Sequence, residues 1–166
     1  MNCLNCTCNN NMIEIKKKDT EERKIGDMKK EDCIFCKIAG GQIPSCTVYE
    51  DEAFRVILDV APAAKGHALI LPKEHYDNLW ELGEEEAAKV MKLASKVSNA
   101  QKKVLSCDGI NVLQNNGTAA GQSVFHFHMH LIPRYEEDGM VIPWETLSYQ
   151  DGEAEKLCEA IKEAME

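Results

Sequence analysis

Short segments rich in β-forming residues recur along the chain, and turn-forming residues separate them. Bounded in this way, such segments predict strands. The predicted strands are Thr47 to Glu50, Ala53 to Leu58, His67 to Leu71, Ile110 to Leu113 and Val124 to Ile132. Because only Asp51 and Glu52 separate the first two strands, we expect these to form a hairpin.

A helical period appears between Gly83 and Val104, where apolar residues recur mainly three and four positions apart. These residues are Ala87, Val90, Met91, Ala94, Val97 and Val104. The spacing predicts one long helix with a single apolar face. A short helix is predicted from Cys33 to Ile38, and an acidic helix from Gly152 to about Ala164. The order of elements predicts an α+β fold, in which one long helix crosses a mostly antiparallel five-stranded sheet.

The length of the chain, 166 residues, is close to the roughly 150 that a domain contains, so we expect about one folded domain. No apolar run approaches the roughly 20 residues of a membrane-spanning helix, and no secretory signal opens the sequence. We therefore predict a cytoplasmic protein that does not bind membranes. A net charge of -9 argues against nucleic acid as a partner but allows a small anionic ligand in a local pocket.

The chain divides into three parts by composition. Residues 1–30 contain Cys3, Cys6 and Cys8 and little to bury, and they carry seven basic and five acidic residues. We predict that they form a disordered or weakly ordered tail with free thiols; the alternative is that the three closely spaced thiols capture a soft metal, for which no fourth ligand lies nearby in the sequence. Residues 31–144 are predicted to form the folded domain, and residues 145–166 a C-terminal extension that contains the acidic helix.

Three of the five histidines alternate with apolar residues within the last predicted strand. These are His126, His128 and His130. Because a strand has a period of two, the three imidazoles are expected to share one face while Phe125 and Phe127 pack on the other. Such a face suits either metal ligation or nucleophilic and acid-base catalysis. The small polar segment 115–123 just upstream is either a phosphate-binding loop or a plain turn.

The sequence resembles the histidine-triad family of nucleotide hydrolases and transferases, whose signature is His-x-His-x-His followed by apolar residues. Residues 126–132 match that signature, and the resemblance extends from about Asp32 to Trp144. Its other matching segments are Cys33 to Ile38, Ile43-Pro44, Leu58-Asp59, Gly66 to His75 and Gly121 to Val124. The chain looks most like the branch that hydrolyses nucleoside phosphoramidates. His130 speaks against the nucleotidyl-transferring branch, which typically has glutamine there.

The resemblance implies that His128 attacks the α-phosphorus of a bound purine nucleotide. Water would then cleave the nucleotidyl-histidine and release a nucleoside monophosphate. The implied catalytic residues are His128, His130, His126, His67 and Ser123. The implied nucleotide-binding residues are Ile34, Phe35, Ile38, Ile57, Asp59, Leu69, Asn115, Gly121, Gln122, Ser123, His128 and His130. From the residues alone, the apolar members could equally be ordinary core, His67 a packed histidine and Asp59 part of a solvated turn.

A structural zinc site is also implied by the family resemblance. Cys33 and Cys36 form a C-x2-C pair, and His75 and His126 would complete a tetrahedral set with no open position. The family further implies a homodimer formed through the sheets and long helices, with Met91, Leu93 or Val97 at the seam and Trp144 reaching the partner's site. The alternative functions are a nucleotide-binding scaffold with vestigial catalysis and a dinucleoside polyphosphate hydrolase.

Overall fold

The computed structural model describes residues 30–142 and 145–165. Its elements are α1 (Ile34–Ala39), β1 (Thr47–Glu50), β2 (Phe54–Leu58), β3 (Ala68–Pro72), α2 (Glu84–Leu105), β4 (Gly109–Leu113), a 3-10 turn (Thr118–Ala120), β5 (Met129–Arg134) and α3 (Glu153–Met165). The five strands form one sheet in the order β1-β2-β3-β5-β4, and every neighbouring pair is antiparallel. The predicted α+β architecture is confirmed.

Some sequence-based predictions fall on residues outside those ranges. They concern the N-terminal tail up to residue 29, with its three cysteines, and Trp144. Among the helices that the structure does describe, none combines the length and the apolar character needed to cross a bilayer.

The predicted hairpin of β1 and β2 is present, and one carboxylate organises its turn. Asp51 Oδ1 accepts hydrogen bonds from the backbone N–H groups of Ala53, at 2.9 Å, and Phe54, at 2.7 Å. An aspartate that bonds the backbone two and three residues ahead stabilises a tight turn, because it occupies donors that the turn would otherwise leave unpaired. The hairpin therefore forms where the turn residues Asp51 and Glu52 separate the two strands.

The main core lies between α2 and one face of the sheet. Val90 and Ala94 of α2 are buried there against Val56, Ile70 and Leu131 of the strands. The predicted apolar face of the helix is wider than the buried one, because α2 packs closest to β5 and β4 and leaves the β1 side of the sheet less covered. Two residues assigned to the predicted face are exposed: Val104, by 82%, lies beside the less covered β1 side, and Met91, by 56%, lies on the other flank of the helix, toward β4.

The opposite face of the sheet is covered only in part, by α1. Phe35 and Ile38 of this helix pack against Ile57, Leu69 and Leu71 of β2 and β3. Because successive residues of a strand point to opposite faces, the residues of β5 that alternate with its core-facing Met129 and Leu131 point to this side. His130 is one of them, and it stands opposite Leu69 in the β3–β5 ladder. The functional candidates thus lie on the less covered face.

The last predicted strand begins later than expected, at Met129 instead of Val124. Its ladder with β3 stops where Ile70 faces Met129, and Pro72, two residues further on, has no N–H to donate. The chain before Met129 is held instead by a 2.6 Å hydrogen bond from the N–H of Phe127 to the carbonyl of Tyr76. Phe127 is buried as predicted, but Phe125 is 48% exposed, because it precedes the residues that the ladder aligns.

Candidate active site

The rings of His128 and His130 lie next to each other, although His128 precedes β5. The ring centroids of His128 and His130 are 4.9 Å apart, and the Phe35 ring stands edge-on 5.0 Å from His128. His126 is fully buried and His128 is 6% exposed. The three side chains serve two different clusters, since His126 faces Cys33, Cys36 and His75, whereas His130 contacts His67.

The proton of His128 is fixed by its own backbone. His128 Nδ1 lies 2.6 Å from the carbonyl oxygen of His126. A carbonyl can only accept, so Nδ1 carries the proton and donates, and Nε2 of the neutral ring keeps its lone pair. Burial lowers the pKa of His128, which favours the neutral ring. The side chain therefore presents an unprotonated ring nitrogen, the form that a nucleophile requires.

A chain of two hydrogen bonds places the proton of His130 on Nε2, whereas that of His128 is on Nδ1. The N–H of Ala63 donates to His67 Nδ1 at 3.1 Å, so the proton of neutral His67 is on Nε2. His67 Nε2 then donates to His130 Nδ1, 2.9 Å away, and the proton of His130 is left on Nε2. Burial, with smaller contributions from His128 and His67, lowers the pKa of His130 to about 4.

Asp59 Oδ2 also approaches His67 Nδ1, at 3.6 Å. We do not assign an ion pair there, because the Nδ1 lone pair already accepts the N–H of Ala63 and burial lowers the pKa of His67. Asp59 Oδ1 accepts the N–H of Ala61 at 2.9 Å. Asp59 Oδ2 therefore accepts no hydrogen bond from Ala61 or from His67, and it is available to accept one from a ligand hydroxyl.

The predicted apolar wall for a nucleoside is a contiguous surface beside the histidines. Ile57 and Leu69 are buried, Phe35 and Ile38 are partly buried against them, and Ile34 is 50% exposed. Phe35 joins this wall to His128 through their edge-on contact. An apolar surface that ends at an imidazole suits a base bound by burial, with its phosphate near the ring nitrogen.

The loop upstream of the histidines is shaped by Gln122, which is 3% exposed. Its Oε1 accepts the N–H of Gly117 at 2.8 Å, and its Nε2 donates to the carbonyls of Asp77, at 2.6 Å, and Val124, at 3.1 Å. Both amide hydrogens are thus used within the protein. This arrangement gives Gln122 a positioning role in the loop. Gly121 and Ser123 are exposed, and the positive φ of Gly121, 85°, is one that glycine adopts without strain.

The predicted metal ligands form one compact cluster. The ligand atoms of Cys33, Cys36, His75 and His126 all lie within 4.8 Å of one another. His75 Nδ1 is 3.2 Å from His126 Nδ1 and 3.2 Å from Cys36 Sγ, and His126 Nδ1 is 3.5 Å from Cys36 Sγ. Ordinary Zn–N and Zn–S lengths give tetrahedral edges of about 3.3 Å between nitrogens and about 3.6 Å between nitrogen and sulfur. The observed spacing fits such an ion.

The protons of the two imidazoles support the same conclusion. His75 Nε2 lies 2.7 Å from Asp77 Oδ1, and His126 Nε2 lies 3.0 Å from the carbonyl of Pro72. Both partners accept, so the protons are on Nε2 and the two Nδ1 lone pairs face each other. Facing lone pairs repel unless a cation or a proton lies between them, and neutral imidazoles with an oriented outer N–H are typical zinc ligands.

Sequence reasoning missed Asp77, which orients His75 and pairs with Lys30 Nζ at 2.6 Å. The hydrogen bond from Lys30, followed by that from His75, lowers the pKa of Asp77. The His75-x-Asp77 spacing was a usable signal, since a carboxylate close to a ligating histidine is a common outer partner. The hydrogen bond from the N–H of Ala63 to His67 could not be predicted in this way, because a backbone donor does not depend on residue type.

Comparison with known proteins gives the family. The model of the HIT domain matches residues 40–137 of this chain. The chain belongs to the HIT family. Among its relatives are the "Protein hit" of Bacillus subtilis, 47% identical over 70% of this chain and 81% of that protein, and the adenosine 5'-monophosphoramidase of Schizosaccharomyces pombe, 42% identical over 78% of this chain and 95% of that enzyme.

Solved structures of similar proteins share the fold. A Streptococcus mutans protein superposes with a TM-score of 0.79 at 40% identity, covering 84% of this chain and 88% of its own. A protein of Mycobacterium smegmatis, described as a zinc-bound histidine triad family protein, superposes with a TM-score of 0.64 at 33% identity, covering 81% of this chain and 98% of its own. The antiparallel sheet with one long helix is thus the fold of the family.

Proposed function

We propose that this HIT protein hydrolyses purine nucleoside 5'-phosphoramidates or related nucleotidyl conjugates at the α-phosphate. One observation carries the proposal: His128 has a neutral ring whose Nδ1 proton is held by the His126 carbonyl, so that Nε2 is free to attack. The name of the S. pombe relative, an adenosine 5'-monophosphoramidase, supports the same substrate class.

The reaction takes two displacements. His128 Nε2 forms a bond to the α-phosphorus while the P–N bond to the leaving amine breaks, and the amine gains a proton as it departs. Water then attacks the nucleotidyl-histidine, giving a nucleoside monophosphate and restoring the neutral ring. The N–H on His130 Nε2 donates to a phosphate oxygen as negative charge develops, while His67 holds that ring in place. We assign the Ser123 hydroxyl as the donor to the departing amine, and the water that attacks in the second displacement returns a proton to Ser123.

The remaining proposed contacts bind the nucleotide. Ile34, Phe35, Ile38, Ile57 and Leu69 form the apolar wall for the base, which gives little selectivity between bases. The open oxygen of Asp59 accepts from the ribose hydroxyls. Asn115, Gly121 and Ser123 lie on the loop that would approach the phosphate, and Gln122 supports that loop through its backbone contacts.

We propose a structural zinc ion held by Cys33, Cys36, His75 and His126. The four side chains fill a tetrahedral shell, so an ion there would stabilise the fold and would have no open position for water. It would tie the start of α1 to the residues that precede β5. His126 would then act by placing the backbone carbonyl that orients His128.

Two other functions give different outcomes with the same assays. A scaffold with vestigial catalysis would bind nucleotide without releasing monophosphate, and a dinucleoside polyphosphate hydrolase would prefer a phosphoanhydride substrate. Sequence-based predictions of a homodimer and of a cytoplasmic location remain predictions. Of the three residues proposed for the dimer seam, Leu93 and Val97 are buried in the core of their own chain, and only Met91 is exposed.

The test compares release of AMP from adenosine 5'-phosphoramidate with release from diadenosine tetraphosphate by the full chain. We expect a higher kcat/KM on the phosphoramidate and loss of both activities in His128→Asn. Faster cleavage of the dinucleotide would favour the polyphosphate hydrolase, and binding of AMP without turnover would favour the scaffold.

A further inference from the structure

An apolar groove runs between α2 and the β1 side of the sheet, away from the candidate active site. It encloses about 280 Å³. Its apolar lining includes Val48, Leu58, Val97, Ala100, Val104 and Leu105. Val48 is 54% exposed and Val104 82% exposed, which is unusual for two aliphatic side chains on one concave surface. Such a patch, when it is bordered by charged residues, is typical of an interaction site.

A second uncovered apolar surface lies on α3. One face of this helix carries apolar residues at three- and four-residue spacing, namely Ala154, Leu157, Cys158, Ile161, Ala164 and Met165. Leu157 is 46% exposed, Ile161 59% and Met165 82%. None of the described side chains from residue 145 to residue 165 is buried. An amphipathic helix forms stably when its apolar face is covered, so this face requires a partner surface.

The charges around the two surfaces are complementary. From Ala87 to Leu105, α2 contains no acidic residue and five lysines, at 89, 92, 96, 102 and 103. Lys96 and Lys103 are seven residues apart, so they lie on the same side of the helix, next to the groove residue Ala100. The segment 145–165 contains six acidic residues and two lysines, a charge of -4. An acidic amphipathic helix thus matches an apolar groove with a basic border.

We propose that α3 of one copy of this chain docks in the α2–β1 groove of a second copy, with Leu157 and Ile161 toward Val104 and Leu105. The occupant is a second copy because the acidic, apolar face of α3 matches the groove and its basic border, whereas residues 145–165 bury no side chain on their own domain. A reciprocal exchange would cover both apolar surfaces in each chain. This inference goes beyond the proposed function and does not depend on it.

Cross-linking between two distinguishable chains tests the proposal. One chain carries Val104→Cys with Cys158→Ser, so it has a thiol at the groove and none on α3, and the other is wild type with its own Cys158. The two chains are co-expressed with different tags, treated with a short bismaleimide, and the linked peptides are identified by mass spectrometry. Position 104 is exposed, so the substitution should not disturb folding. The matched control replaces exposed Ser95, on the opposite side of α2, by cysteine in the same background.

We expect a covalent heterodimer in which residue 104 of one chain is linked to Cys158 of the other, with at least a fivefold lower yield from position 95. Lys96→Glu with Lys103→Glu should lower that yield several-fold, and Glu155→Lys with Glu159→Lys in the other chain should restore it. Absence of the 104–158 link between chains would overturn the proposal. A second variant carries both thiols in one chain, Val104→Cys with native Cys158. If this variant forms the 104–158 link only within a single chain, the proposal is also overturned.

Discussion

His67 Nε2 lies 2.9 Å from His130 Nδ1, and this contact determines which nitrogen of His130 carries the proton. The N–H of Ala63 occupies His67 Nδ1, so the proton of His67 must be on Nε2 and that of His130 on its own Nε2. Two adjacent histidines of the signature therefore have opposite roles. His128 offers a lone pair and His130 offers a hydrogen-bond donor.

This arrangement predicts the tautomer of His130 in solution. Nitrogen-15 spectra of the full chain should show a protonated Nε2 and an unprotonated Nδ1 for His130 at pH 7. His67→Ala should broaden or shift that signal and lower kcat by about 10- to 100-fold, less than the loss of a donor that touches the phosphate. Asp59→Asn, which leaves the Ala63 contact intact, should preserve the tautomer. A His130 protonated on Nδ1 in the wild-type protein would refute the assignment.

The lowered pKa of His130 predicts how stability depends on pH. Its folded pKa is about 4, against an ordinary value of 6.5, so the unfolded chain binds more protons between these values. The contribution of His130 is present above about pH 6.5 and is lost as pH falls toward 4. Urea unfolding at pH 7 and pH 5 should therefore show a smaller loss of stability in His130→Asn than in wild type. Equal losses in the two proteins would contradict the shift.

Substitution of Gln122 distinguishes loop support from phosphate binding. Gln122→Glu keeps the shape of the side chain but removes both donors to the carbonyls of Asp77 and Val124. We expect it to lower the free energy of unfolding by about 1–3 kcal/mol, because buried acceptors lose their partners, and to lower kcat/KM as well. Ser123→Ala, at an exposed position, should leave stability unchanged. A Gln122→Glu protein with wild-type stability and only a raised KM would indicate direct phosphate contact instead.

The metal proposal predicts a loss of both metal and stability when one thiol is removed. Cys36 is 4% exposed within the four-residue cluster, and Cys46 is exposed and outside it. Cys36→Ser should reduce zinc from one per chain to near zero and lower Tm by about 5–15 °C, whereas Cys46→Ser should change neither. Metal analysis by mass spectrometry and thermal unfolding provide the readouts. Full zinc content in Cys36→Ser would contradict the proposed ligand set.

The sequence was informative wherever local pattern determines structure. The bounds of β1 were predicted to the residue, and those of β2, β3 and α2 to within one or two, because turn residues and helical spacing are local signals. The triad histidines were recognised from their alternation, although the ladder begins only at Met129. They are held in place because the N–H of Phe127 donates to the carbonyl of Tyr76 and the His126 imidazole donates to the carbonyl of Pro72, contacts that no pattern within residues 124–132 encodes.

The remaining features depended on contacts between distant segments. Gln122 was assigned to the phosphate by resemblance, and only the approach of residue 77 shows where its amide hydrogens go. Val104 was placed on the apolar helix face by its spacing, but that spacing does not show how far the sheet extends beneath the helix. Residue type therefore predicted which chemistry is present, while tertiary contacts determined which atoms are free to perform it.

The central claim is that His128 Nε2 forms a transient bond to phosphorus, and rapid-quench mass spectrometry of the full chain tests it most directly. After mixing with adenosine 5'-phosphoramidate, the peptide that contains His128 should gain the mass of one adenylyl group within the first turnover and lose it as AMP appears, and His128→Asn should show neither adduct nor turnover. Turnover with no adduct on His128, together with an active His128→Asn protein, would contradict the account.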